Sequence, residues 1–291
     1  MSNPVRIEPQ LLAPLLPRRD AREGKWHYGR ALLLCGCEEM SGAALLSCEA
    51  ALRSGAGLVQ LAAVPAVIAA ARPRLPEALL LAVHTEREAF LGPDIRIAQA
   101  EARANAVLFG CGVGLEDSVR ALLRQLCAQT RLPLVLDADG LNLLSEQPEL
   151  LSLRPERTIL TPHAGEFCRL SGKSRAALAT DSVGLATDFA RKYGVILVLK
   201  GATTIVTDGT LCAMLDAPNS GLAKGGSGDL LAGLTVGLLA QGIAPFAAAS
   251  LAVWLHARAG ALACAEQSAY SVLPSDLFPK LGQAFCELAD A

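Results

Sequence analysis

Charge of either sign is scarce in this chain of 291 residues: Asp, Glu, Lys and Arg make up 19% of it, and 26 basic residues nearly cancel 28 acidic ones. No basic stripe interleaved with aromatics occurs, which argues against nucleic acid as a partner. Aromatics are few, at 4%, so an aromatic-rich β-sandwich is disfavoured. Among nine cysteines there is no Cys-x-x-Cys, and Cys35-x-Cys37 lacks the second half of a zinc site. Scattered thiols of this kind fit reduced, mostly buried side chains. Met1–Asp20 lacks the apolar core of an export signal, so a cytoplasmic location is expected. There is no Gly/Ser/Pro-rich linker, internal repeat or low-complexity tract, and one domain over residues 1–291 is the expectation.

What the chain has in quantity is apolar: 52% of it is hydrophobic, with Ala and Leu dominating. That is ample material for helices packed on a sheet. Short apolar strand-like runs (Ala31–Gly36, Leu58–Val64, Asn105–Gly110, Pro133–Asp137, Thr158–Leu160, Val195–Lys200) alternate with helical stretches such as Gly42–Ser54, Asp117–Gln129 and Arg175–Tyr193. Strands that are apolar throughout, rather than alternating, predict a mainly parallel sheet covered on both faces. Thr207-Asp208-Gly209 between two β-forming runs predicts a hairpin. The stretch from Leu230 to Leu255 carries no charge. Gln241, Gly242 and Pro245 divide it into two pieces, each expected to be too short to span a bilayer, so two buried helices are the reading.

In open parallel sheets ligands bind at the carboxyl ends of strands, which directs attention to the loops there. The richest is Asn219-Ser220-Gly221-Leu222-Ala223-Lys224-Gly225-Gly226-Ser227-Gly228-Asp229, with four glycines in eight residues, running into an apolar helix. Successive exposed N–H groups at a helix N-terminus suit phosphate oxygens. Asp229 in the first turn stands where it can take a proton from a hydroxyl attacking phosphorus; the bland alternative is a simple helix N-cap. Lys200, at the end of a strand, could neutralise phosphate. Asp137 and Asp139 could position magnesium through water. His163, after another strand, is either a ligand contact or a solvated loop histidine.

Several features mislead. Gly110-Cys111-Gly112-Val113-Gly114 resembles a dinucleotide fingerprint, but Leu115 stands where the last glycine belongs. It is either a close approach to a ligand or a tight structural turn. Gly172-Lys173-Ser174 looks like the end of a P-loop, but Phe167 replaces its first glycine. His27, His84 and His256 show no partners at metal spacing, and His256, on an Ala-rich helix, reads as a core histidine.

Taken in order, these motifs resemble the ADP/ATP-dependent NAD(P)H-hydrate dehydratases, a branch of the ribokinase-like superfamily. The resemblance is carried by Gly29-Arg30, Ser41-Gly42-Ala43-Ala44, Arg53-Ser54-Gly55-Ala56-Gly57, Gly110-x-Gly112-x-Gly114, Asp137-Ala138-Asp139-Gly140, Thr161-Pro162-His163-x-Gly165-Glu166, Lys200-Gly201-Ala202-Thr203 and Gly225-Gly226-Ser227-Gly228-Asp229. Cys111 stands where the family commonly has proline, and Lys224 where threonine is frequent. The resemblance implies a three-layer α/β/α sandwich with a mainly parallel sheet and no fused epimerase domain. The implied activity is ADP-dependent dehydration, with Mg2+, of the S form of hydrated NADH or NADPH (NADHX, NADPHX), in a homotetramer. Asp229 would be the catalytic base. Ala43, Gly114, His163 and Asp229 would contact the hydrate. Lys200, Gly201, Ala202, Thr203 and Thr204, with Gly225, Gly226, Ser227 and Gly228, would hold the adenine nucleotide. The rival readings are a ribokinase-like kinase of a small alcohol, a non-catalytic nucleotide sensor on the same fold, and a redox dehydrogenase. The Thr-Pro-His-x-Gly-Glu segment, the intact Asp229 and the broken fingerprint at Leu115, respectively, speak against them.

Overall fold

Uninterrupted apolar runs make the strands, because each must be buried on both sides. The computed structural model describes residues 4–84, 89–154 and 157–291. Its strands are β1 (Val5–Arg6), β2 (Arg30–Leu34), β3 (Leu58–Ala63), β4 (Leu79–Ala82), β5 (Ala106–Phe109), β6 (Leu134–Leu136), β7 (Thr158–Leu160), β8 (Ile196–Leu199), β9 (Thr203–Thr207) and β10 (Cys212–Asp216). They form one ten-stranded sheet in the order β1-β10-β9-β8-β7-β6-β5-β2-β3-β4. Strands β2 to β8 pair in parallel, while β9 is antiparallel to both β8 and β10, as the Asp-Gly hairpin signal predicts.

The helices are α1 (Pro9–Leu12), α2 (Ser41–Arg53), α3 (Pro65–Ala71), α4 (Ile95–Glu101), α5 (Asp117–Gln129), α6 (Asp139–Ser145), α7 (Ala164–Ser171), α8 (Arg175–Thr180), α9 (Ser182–Tyr193), α10 (Ser227–Ala240), α11 (Pro245–Glu266) and α12 (Phe278–Ala289). Helices α9 and α11 both rest on β8 and β9. All four residues of β8 are buried, so helices cover both faces of the sheet.

One long helical expectation is divided. The stretch Arg175–Tyr193 is two helices, because the Asp181 carboxylate accepts from the Gly184 N–H at 2.8 Å and starts a new one. The Gly172-Lys173-Ser174 decoy is the joint before them. Gly172 ends α7 in the left-handed region, and Ser174 caps α8.

The uncharged run divides where expected, but its second piece does not stop short. Helix α11 continues to Glu266, and its 22 residues are long and apolar enough to cross a membrane by length and composition. It lies across the sheet against β7 to β10 and α10, with 61% of its most apolar window buried inside the fold. Helix α10 is buried along nearly its whole length between α2, α11 and the sheet. Its contact with α2 is backbone-close: a Cβ added at Gly233 would lie 2.1 Å from the Ser47 carbonyl oxygen, and one at Gly237 would lie 1.9 Å from Ser54 Oγ.

Candidate active site

The sheet order reverses between β2 and β5, and the carboxyl ends of β5, β6, β7 and β8 follow side by side from that switch point. The N-terminus of α10 points into the same region. A cavity of about 800 Å³ opens there, lined among others by Asp137, His163, Lys200, Gly225–Asp229 and His256.

The glycine loop delivers α10 as its composition suggests, with one change. The helix starts at Ser227, two residues earlier than Asp229, and its N-cap is Gly226 at φ +97°. Only glycine holds that backbone comfortably, and a Cβ there would also lie 2.5 Å from Leu46 Cδ1. Asp229 is therefore at the third helical position and makes no capping bond. The bland reading of it as an N-cap does not hold.

Asp229 lies among other acids. Burial, then the neighbouring Asp137, pushes its pKa up to about 6, against the lowering pull of a Cys111 thiol contact and Lys200. A carboxylate poised there can both hold and release a proton near neutral pH. Asp137, at the end of β6, is 2% exposed, and its Oδ1 accepts from Lys200 Nζ at 2.8 Å and from Thr161 Oγ1 at 2.7 Å. Its Oδ2 faces Cys111 Sγ at 3.9 Å. Burial works against the Lys200 ammonium, yet Asp137 and then Glu166, at 4.0 Å, more than offset it and hold its pKa above the usual lysine value. Lys200 is thus a fixed positive charge beside the α10 N-terminus, not a solvated lysine.

Between Asp137 and Asp139 the backbone at Ala138 takes φ +48°, the one positive value at a non-glycine among the described residues. Such strain persists only where its surroundings impose it. It points the two carboxylates apart: Asp137 towards Lys200, and Asp139 Oδ2 to the Gly114 N–H at 2.9 Å.

His163 is partly a structural residue. Its Nδ1 accepts from the Gly165 and Glu166 N–H groups at 2.9 and 3.1 Å, and the Glu166 carboxylate accepts from the His163 N–H at 2.7 Å, a reciprocal cap on α7. Its Nε2 lies 3.6 Å from Glu166 Oε1, and the side chain is 54% exposed at the cavity wall. His163 also bridges Lys200 through the backbone, so these two strand ends adjoin.

The cavity brings together His163, Lys200, Gly201, Ala202, Thr204, Gly225, Gly226, Ser227, Gly228 and Asp229. It does not include Ala43, Gly114 or Thr203. Thr203 Oγ1 is taken up by Asp216 at 2.8 Å. Ala43, on α2, abuts the Gly110–Gly114 loop, where a Cβ at Gly112 would lie 2.9 Å from its methyl. One lining residue was read differently from sequence. His256 is not simply a core histidine, since its Nε2 lies 3.0 Å from Ser227 Oγ and it faces the cavity. Its spacing with Val253 and Ala257, on one stripe of α11, was the available signal.

For a divalent cation the donors are mixed. Cys111 Sγ and the carboxylates of Asp137 and Asp229 have ligand atoms within 4.8 Å of one another. The two carboxylates suit a hard cation such as Mg2+, held by one or two acids and completed by phosphates and water; the thiol does not. Asp137 Oδ2, free of Lys200 and Thr161, is the fitting oxygen.

Comparison with known proteins bears on this geometry. Residues 31–283 match the family model described as NAD(P)H-hydrate dehydratase. The bifunctional NAD(P)H-hydrate repair enzyme Nnr of Coxiella burnetii is 38% identical over 269 residues, which are 92% of this chain and 52% of that protein. The chain spans about half the length of the curated relatives it matches. A crystal structure of the Bacillus subtilis ADP/ATP-dependent NAD(P)H-hydrate dehydratase, co-crystallised with ATP and Mg2+, superposes with a TM-score of 0.83 at 29% identity, covering 99% of this chain and all of that one. A ribokinase-like superfamily protein from Enterococcus faecalis gives a TM-score of 0.87 at 27% identity, covering 100% and 98%.

Proposed function

The chain belongs to the NAD(P)H-hydrate dehydratase family, with a ribokinase-like fold, and we propose that it repairs the S form of hydrated NADH and NADPH at the expense of ADP. The observation that carries this is Asp229, a half-buried acid with its pKa raised to about 6, set beside the Gly225–Gly228 amides and Lys200 in one cavity. The family model supports the substrate class, and the co-crystallised ATP and Mg2+ of the Bacillus relative support the donor.

In this reading Asp229 takes the proton of the hydrate's ring hydroxyl, whose oxygen attacks the terminal phosphorus of ADP. The bond to the bridging oxygen breaks and AMP leaves. The α10 N-terminal amides and Lys200 hold the charge on the moving phosphoryl group. The ring-nitrogen lone pair then expels phosphate, a far better leaving group than hydroxide, and loss of the neighbouring ring proton restores the double bond. Mg2+, when bound, screens the donor phosphates, and Asp137 would hold it, directly or through water.

Lys200, Gly201, Ala202, Thr203 and Thr204, with Gly228, are assigned to the nucleotide, and Ala43, Gly114 and His163 to the hydrate. For Ala43, Gly114 and Thr203 the support is the family resemblance, since they lie outside the cavity lining. The chain is read as one domain over residues 1–291, working in the cytoplasm. A homotetramer belongs to this reading and rests on the resemblance, because the apolar run from Leu230 is used inside the core by α10. The test is return of 340-nm absorbance when the purified protein meets hydrated NADH, ADP and magnesium. A phosphorylated product without restored absorbance would instead favour the kinase of a small alcohol.

A further inference from the structure

We propose that His256 is a positioning residue for phosphoryl binding: its neutral ring donates from Nε2 to Ser227 Oγ, leaving the serine O–H free to donate to a phosphate oxygen. The idea rests on the adenine-nucleotide reading of the cavity.

Helix α11 is almost wholly apolar around His256, so a half-buried histidine there without use would carry a desolvation penalty. Among the described residues Ser227 is the ring's hydrogen-bond partner, at 3.0 Å. Ser227 is 7% exposed and occupies the first position of α10, between Gly226, the left-handed N-cap, and Gly228. Both side chains line the cavity, beside Lys200.

Burial, and then the charge of Lys200, pushes the His256 pKa down to about 4. The ring is therefore neutral, with one N–H to place. If Ser227 donates to a bare Nε2, its oxygen turns only lone pairs towards the cavity and repels an anion. If Nε2 carries the hydrogen, the serine proton is free, and the chain His256 N–H to Ser227 O–H to phosphate is donor-to-acceptor throughout. A phosphate at the α10 N-terminus selects the second arrangement. No net charge is added, so the relay works unchanged across neutral pH.

The experiment is calorimetric titration of the 291-residue chain with ADP and magnesium, with adenosine as the phosphate-free comparison. The variants are His256→Ala, His256→Gln, His256→Asn, Ser227→Ala and the double variant His256→Ala/Ser227→Ala. Removing one such hydrogen bond weakens ADP about 3- to 10-fold, and adenosine should not follow. Gln places an N–H where Nε2 was and should keep ADP within about threefold of the parent. Asn, reaching only as far as Nδ1, should behave like Ala. The double variant should lose no more than the worse single one, since both break the same chain. Equal loss of adenosine, failure of Gln to rescue, or losses that multiply would each overturn the proposal and return His256 to a packing role. Because binding is read directly, an intact relay in a protein that fails to restore NADH would defeat the dehydratase reading and leave this one standing.

Discussion

At the scale of single residues, Asp229 is where stability and function pull against each other. Its pKa is raised to about 6, first by burial and then by Asp137. A raised acid binds its proton more tightly in the folded than in the unfolded chain. Stability is therefore lost as pH climbs from about 4 to 6, and the whole penalty is present above 6. Asp229→Asn removes it, and the variant should be more stable than the parent at pH 7.5, by no more than about 3 kcal/mol, with little difference at pH 4. Thermal melts at the two pH values check the sign. The same variant should lose about 10²- to 10⁴-fold in turnover, because asparagine keeps the shape but cannot accept a proton, while ADP affinity stays within a few fold. A folded variant turning over within tenfold of the parent would remove Asp229 from the base role. In the parent, kcat/KM should rise with pH to a plateau, with an apparent pKa close to 6 in the free enzyme. A profile flat from pH 5 to 8 would contradict that. Asp229 and its glycines were legible in the sequence because backbone exposure, helix start and acid are contiguous. The Asp137–Lys200 pair was not, since 63 residues separate its members and only the sheet order brings them together.

At the scale of elements, the sheet was the legible part. Strand positions follow from short apolar runs, and most ends fall within two residues of expectation. The misses were short helices such as α3, α4 and α6, whose seven residues give too few turns for a periodic signal. The α2–α10 contact was also hidden, although its glycines were visible. Gly233 admits the Ser47 carbonyl oxygen, and a methyl there would lie 2.1 Å from it, forcing two helices apart. Gly233→Ala should thus destabilise by about 1–3 kcal/mol, outweighing the helix propensity that alanine gains. Gly282, inside α12, has nothing within 4 Å of an added Cβ. Gly282→Ala should go the other way, by about 0.5–1 kcal/mol. Denaturant midpoints of the two variants moving in the same direction would contradict this reading of the packing.

At the scale of the whole molecule, the core is one continuous cluster running from β2 and β3 through α10 to α11 and α12. Helix α10 contributes both its buried centre and the N-terminus that faces the cavity, so the site is anchored in a helix buried along nearly its whole length. A tetramer would have to use surface outside that core, and light scattering returning the mass of a single 30.3 kDa chain at micromolar concentration would exclude it. Ligand linkage follows from the same architecture. The cavity is walled by the ends of β6, β7 and β8 and by α10 and α11, so a nucleotide there touches the sheet and both central helices at once. Anything bound only by the folded chain stabilises it, by about 2.7 kcal/mol at a hundred times its dissociation constant. In a domain of this size that corresponds to a rise in Tm of roughly 5–10 °C. Magnesium-ADP should produce that rise, and Lys200→Met should abolish most of it, since the fixed ammonium beside the phosphate amides would be gone. Lys200→Met also leaves Asp137 and Glu166 without their cation, so its own baseline Tm should fall; the comparison that matters is the ligand-induced increment. An undiminished increment in that variant, or none in the parent at millimolar ADP, would separate Lys200 and the cavity from nucleotide binding.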